Sequence, residues 1–187
     1  MTIEDKIYEE VKKRCELPAN AYGKGAWNHH IKVVYELAKK YAKEYEADLE
    51  VVSLAALLHD IASVTDINYA EEHHIIGAKI AEDLLEKENY AKEKIELIKK
   101  CILNHRGSRL AVKSTAEEVC IADCDAMAHF YSIPSLLSMV YKEKGLGIDE
   151  GSKFVMDKLE RSYNKMSEKG KNLVEIQYEA AKKILKY

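Results

Sequence analysis

Residues 54–62 read LAALLHDIA. Leu, Ala and Ile recur at helical spacing, and the run ends in His59 and Asp60, two metal-binding side chains side by side at the end of an apolar helix. Neighbouring residues on a helix point about 100° apart, so the pair can grip one ion only where the helix wall opens onto a cleft and other helices bring further ligands. Imidazole with carboxylate suits a borderline or hard divalent cation such as Mn, Fe, Co, Ni or Zn better than a soft one. A lone His-Asp pair at a helix end also has a plain electrostatic explanation, because a cation there complements the helix dipole. The spacing of the other candidate ligands therefore decides.

Outward from this stretch the hydrophobic period stays near 3.6, and two prolines and eight glycines leave few breaks. The pattern predicts an all-α fold, a single-domain helical bundle of about eight or nine helices spanning residues 1–187. A first helix is expected over 3–16, ahead of Pro18, and a Gly23/Gly25 loop leads into a second over 27–45. Asp48 caps a third over 49–62. A polar connection, SVTDINYAEE, precedes a fourth over 73–87, and a fifth runs over 91–104. Ser114 with Glu117 reads as a capping box for a sixth over 115–131. Pro134 suits the first turn of a seventh. Asp149 can cap an eighth, and 171–187 makes a last amphipathic helix. No repeat or linker marks a second domain.

The composition, 47% apolar and 33% charged with a net charge of -3, is that of an ordinary soluble protein. Interspersed charge and the lack of a basic stripe argue against a nucleic-acid polymer or a membrane surface as partner. The opening MTIEDKIYEEVKKR is charged from its fourth residue and does not read as a secretory leader. Cysteines at 15, 101, 120 and 124 lack paired CxxC spacing and read as buried free thiols of a cytoplasmic protein.

If the second and third helices form a hairpin turning near Ala47, His30 lies 17 residues before the turn and His59 lies 12 after it. At 1.5 Å per residue the mismatch is about 7 Å, so both reach the same end of the pair. His74, opening the fourth helix, is returned to that end too. Spacing thus gathers His30, His59, Asp60 and His74, and does not place Asp125.

The set resembles the HD superfamily of metal-dependent phosphohydrolases: HIKVVYELA around His30, LAALLHDIA around His59, HHIIGAKIA at the fourth helix and DCDA around Asp125. The resemblance spans about 27–130, with helices 131–187 packed on that region. It implies an HD fold in which His30, His59, Asp60 and Asp125 bind the metal. His30 is favoured over His29 by its spacing to Val34 and Ala38, and Asp125 over Asp123 by the family pattern. Some branches recruit further histidines for a second ion, and His74 or His73, with His105, lie in the matching regions. One or two ions among Mn, Fe, Co, Ni, Mg and Zn are expected.

The implied activity is hydrolysis of a small phosphate ester, a nucleotide above all, by hydroxide generated at the metal. Asp60, His74, His105 and Asp123 are the candidate catalytic groups, Asp123 or His74 protonating the leaving oxygen or orienting water. Arg106, Arg109 and Lys113 are candidate phosphate-binding cations. After His59-Asp60 the sequence reads IASVTD, without the lysine of the di-iron oxygenase-like branches or the glutamate of the deoxynucleotidases; Ser63 and Asp66 occupy that region. The Gly-Tyr-Pro signature of the cyclic-dinucleotide phosphodiesterases is missing after His105. A di-iron oxygenase and a non-catalytic metal- and nucleotide-binding regulatory module are the alternatives, and a homo-oligomer is compatible with the C-terminal helices.

Overall fold

Two helices, α3 (Leu49–Leu58) and α7 (Ala116–Tyr131), form the centre of the molecule. In α3 every residue from Val51 to Leu58 is buried, as expected of a helix apolar on all sides. In α7 burial extends almost continuously from Cys120 to Phe130, and small residues such as Ala122, Ala126 and Ala128 let neighbours approach closely. The structure is a computed structural model that describes residues 1–106 and 113–185, and among these every regular element is helical.

Around the centre pack α1 (Ile3–Cys15), α2 (Lys32–Tyr45), α4 (Ile61–Thr65), α5 (His73–Lys87) and α6 (Lys92–Asn104), followed by α8 (Ile133–Lys142), α9 (Ile148–Lys165) and α10 (Glu168–Leu185). The helix α2 lies against both α3 and α7, α5 pairs with α4 and α6, and α9 and α10 close the far side of α7. Gly77 permits the α5 approach: a Cβ there would already touch Ile102 at 3.4 Å and Ile61 at 3.6 Å. Among the described residues no helix is long and apolar enough to cross a membrane.

Local chemistry explains the element ends. Thr2 and Asp5 make a capping box for α1, and Asp48 accepts from the Glu50 and Val51 amides to start α3. The α2–α3 hairpin turns through Glu46, which takes a left-handed φ of 58°. Two expected caps move. The box on α7 is Thr115 with Glu118, because Thr115 is the extended residue and Glu118 the third helical one, while Ser114 also donates to Glu118. Helix α9 starts after Gly147, leaving Asp149 in its first turn. Helix α10 begins at Glu168, ahead of the expected residue 171.

Two departures bear on function. The helix expected over 49–62 breaks at His59-Asp60 into α3 and α4, where Asp60 takes φ -111° and ψ 17°. With this break there are ten α-helices among the described residues, where eight or nine were expected. The helix expected over 27–45 opens with a π-helical turn, Trp27–Ile31, in which the Lys32 amide donates to the Trp27 carbonyl. Trp27 is buried edge-on against Tyr8 of α1, with ring centroids 4.6 Å apart.

Candidate metal centre

The break after α3 does what a continuous helix cannot: it aims His59 and Asp60 at one point. His30, from the π turn, meets them there. Its Nε2 lies 3.1 Å from His59 Nε2, 3.2 Å from Asp60 Oδ2 and 3.4 Å from Asp125 Oδ1. On the other side, Asp60 Oδ1 lies 3.4 Å from His73 Nε2 and 3.7 Å from His105 Nε2. Three groups result: His30, His59 and Asp60; His30, Asp125 and His129; and Asp60, His73 and His105. Within each group the ligand atoms lie within 4.8 Å of one another. Asp60 belongs to two of these groups, with one carboxylate oxygen turned to each.

The imidazoles are held by the helix ends themselves. Nδ1 of His59, His73 and His105 lies 2.7, 2.7 and 2.6 Å from the carbonyls of Ala56, Ala70 and Ile102, each three residues earlier. A carbonyl only accepts, so Nδ1 carries a proton and Nε2 is the ring nitrogen turned into the cluster, able to bind a metal in place of its own proton. His59 and His105 cap the C-termini of α3 and α6, where such carbonyls have no helical partner. The same contact therefore satisfies the helix end and fixes the tautomer a metal ligand needs.

Electrostatics agrees with the geometry. Burial alone would raise the Asp60 carboxyl, but the charge of His59 and hydrogen bonds from His105, His30 and His59 hold it well below the usual carboxylate range. Burial is likewise outweighed at Asp125, where Lys165, His30, His129 and His59 keep the carboxyl far below its ordinary value. Burial works against a charged His59, yet Asp60, Asp125 and the Ala56 carbonyl push its pKa up to about 9. The cluster attracts positive charge strongly. Ionised carboxylates facing imidazole Nε2 atoms are a donor set that fits a divalent cation such as Mn, Fe, Co, Ni or Zn, which would take the place of the proton His59 holds.

The structure brings together His30, His59, Asp60, Asp125 and His105. His29 is exposed, its carbonyl accepting from the Ser132 hydroxyl, and its ring joins none of the three groups. His73 faces Asp60 where His74 was expected. The α4 helix and a 3-10 turn, Ile67–Tyr69, set the register of the connection, and the next residue round the helix points away. His74 Nδ1 is buried without a hydrogen-bond partner among the described residues. Asp123 is corrected as well. It faces the opposite side of α7, where Oδ2 accepts from the Tyr45 hydroxyl at 2.7 Å and from the Ser167 hydroxyl, while Oδ1 accepts from the Ser167 amide at 3.0 Å. Fully engaged and distant in direction from the donors, it is a tie between α2, α7 and the start of α10.

Arg106 donates to the Glu71 carbonyl at 2.8 Å, and Lys113 is half-buried. Arg109 lies outside the described residues. Asp66 caps the 3-10 turn by accepting from the Asn68 amide. Ser63 is buried, its hydroxyl 3.2 Å from the Tyr22 hydroxyl.

Sequence reasoning missed His129, Tyr22 and Lys165. His129 follows Asp125 by four residues, a spacing that puts both on one helix face, and its ring stacks on His30 with centroids 5.7 Å apart. Burial lowers its pKa to about 3. Tyr22 reaches Asp60 Oδ1 at 3.3 Å from a loop held by buried Asn20, whose side chain donates to the Cys15 and Gly23 carbonyls. Lys165 pairs with Asp125 Oδ2 at 3.1 Å. No local pattern in the sequence links the last two to the cluster.

The model of the HD domain family matches residues 27–129, more than half of the chain, and the chain belongs to this family. Among curated proteins it is 32% identical to a tRNA (cytidine(56)-2'-O)-methyltransferase of Thermoplasma volcanium, over 63% of this chain and 37% of that protein. The chain thus spans little more than a third of that relative's length. Among solved structures, Bacillus subtilis YpgQ in complex with ADP superposes with a TM-score of 0.66 at 21% identity, covering 94% of this chain and 90% of the other. YpgQ in a second crystal structure gives 0.68, covering 95% and 91%. A predicted HD superfamily hydrolase from an uncultured Thermotogales bacterium gives 0.57 at 21% identity, covering 93% and 91%. The shared fold therefore extends past the family motif into α8, α9 and α10.

Proposed function

We propose that this chain is a metal-dependent phosphohydrolase that cleaves a small phosphate ester, a nucleotide in particular, using two adjacent divalent cations. The observation that carries the reading is the shared Asp60, whose two oxygens face separate groups of imidazoles, His30 with His59 and His73 with His105. The solved YpgQ complex holds ADP, which favours a nucleotide.

His30, His59, Asp60, Asp125 and His129 would hold one cation, and Asp60, His73 and His105 the other. A divalent cation bound there would supply Lewis acidity, polarising a phosphoryl oxygen and lowering the pKa of water toward neutrality. The chain's own groups supply positioning. Burial and the charge of Asp60 push the Tyr22 hydroxyl up, so it stays protonated and orients the Asp60 carboxylate. The ammonium of Lys165 balances Asp125 and would lie near a phosphoryl group held at the cluster, where negative charge develops during transfer. His129, kept neutral by burial, offers a lone pair beside Asp125 while its Nδ1 is 2.9 Å from the Ser162 hydroxyl.

The test is metal analysis of the purified chain together with a panel of nucleoside mono-, di- and triphosphates and simple phosphate esters, run with Mn, Mg, Co and Ni. Metal-dependent release of phosphate or pyrophosphate is expected. Oxygen uptake specific to iron, or tight metal and nucleotide binding with no turnover across the panel, overturns the assignment.

A further inference from the structure

Beside the donor cluster, between α7 and α9, a cavity of about 180 Å³ is lined by His129, Lys158, Arg161, Ser162 and Lys165. Positions 158, 161, 162 and 165 share one face of α9, so three cations and a hydroxyl look into the same space. Like charges at this spacing oppose one another on a helix. Lys165 spends its charge on Asp125, but neither Lys158 nor Arg161 is within ion-pair distance of a carboxylate among the described residues. Burial, together with Lys165 and Arg161, depresses the Lys158 ammonium despite the pull of Asp125.

His129 is the hinge of the inference, because it lines this cavity and also belongs to the group with His30 and Asp125. An anion in the cavity therefore abuts the donor cluster. The space is several times the ~30 Å³ share of one liquid water, enough for a phosphoryl group. Guanidinium and ammonium together suit phosphate oxygens.

We propose that Lys158, Arg161 and Lys165 form a subsite for a second phosphoryl group, so that the preferred substrate is a di- or triphosphate and not a monophosphate. Which bond is cleaved rests on the phosphohydrolase reading. Binding at the subsite does not.

The experiment is a calorimetric titration of the full chain with inorganic tripolyphosphate and with orthophosphate, followed by kinetics on a nucleoside triphosphate and its monophosphate. Tripolyphosphate is expected to bind the tighter, and Lys158→Met and Arg161→Gln each to weaken it by about tenfold, the scale of one charge-assisted hydrogen bond. The same variants raise KM for the triphosphate. Lys153→Met, on the exposed face of α9, has no effect, and Lys158→Arg restores binding. Should Lys158→Met fail to fold, the exposed Arg161→Gln carries the test alone. Unchanged tripolyphosphate affinity in Arg161→Gln overturns the subsite even if the enzyme is active. Loss of affinity in that variant upholds it even if no ester in the panel is hydrolysed, and then the phosphohydrolase reading alone fails.

Discussion

Asp123 and Asp125 stand two residues apart on α7, both buried, yet the regions they face use a carboxylate in opposite ways. At the Asp123 corner the oxygens are taken by a phenol, a serine hydroxyl and a backbone amide, all groups that keep their protons. The backbone closes tightly around them, since a Cβ on Gly170 would lie 2.5 Å from Asp123 Oδ2. At Asp125 the neighbours are His30, His129 and Lys165, ring nitrogens with lone pairs and one ammonium. Burial of an acid is common to both, so it says nothing about role. The partners decide: one arrangement is complete within the protein, the other attracts a cation.

This contrast breaks most readily at Asp60. Asp60→Ala removes the residue that both groups share, and hydrolysis is expected to fall on the order of 10²–10³-fold or more, with metal content lost in elemental analysis. Full retention of both metal and activity would end the case for the cluster. Asp125→Asn and Asp123→Asn form the next comparison. The first is expected to lower metal content with a small change in melting temperature. The second should leave metal bound but cost about 1–3 kcal/mol, because amide nitrogens cannot accept the Tyr45 and Ser167 protons. At roughly 2–4 °C per kcal/mol for a chain of this size, a thermal melt resolves it.

The register at the start of α5 is sharpened by His73→Gln against His74→Gln. Metal affinity measured by competition with a chelating dye is expected to drop at least about 10–100-fold in the first and to stay unchanged in the second. The smallest effect is expected for Tyr22→Phe. Losing the hydroxyl that orients Asp60 should slow turnover by about three- to tenfold, with metal content intact.

Much of the fold was legible because α3, α5, α7 and their neighbours carry a sustained 3.6 period punctuated by clear turn residues. The His30, His59 and Asp60 convergence followed from counting residues either side of one hairpin. The choice between His73 and His74 was out of reach of that counting, since it depends on a short helix and a 3-10 turn packed into what reads as a polar connection. The break at His59-Asp60 was equally hidden, because the apolar pattern continues through Ile61 and Ala62 as though α3 went on. His129 had a usable signal in its four-residue step from Asp125. Tyr22 and Lys165 arrive from a loop and from a distant helix, and tertiary packing alone puts them there.

The widened turn at Trp27–Ile31 carries a lesson for anyone transplanting this motif. The wide turn carries both Trp27, wedged against Tyr8, and His30, which looks inward to Asp60. Deleting Asn28 or His29 would slip the helix by one cog, rotating either the anchor or the imidazole by about 100°. The HD motif here is thus written in a spliced register, and a graft that copies its letters without the splice would misaim its leading ligand.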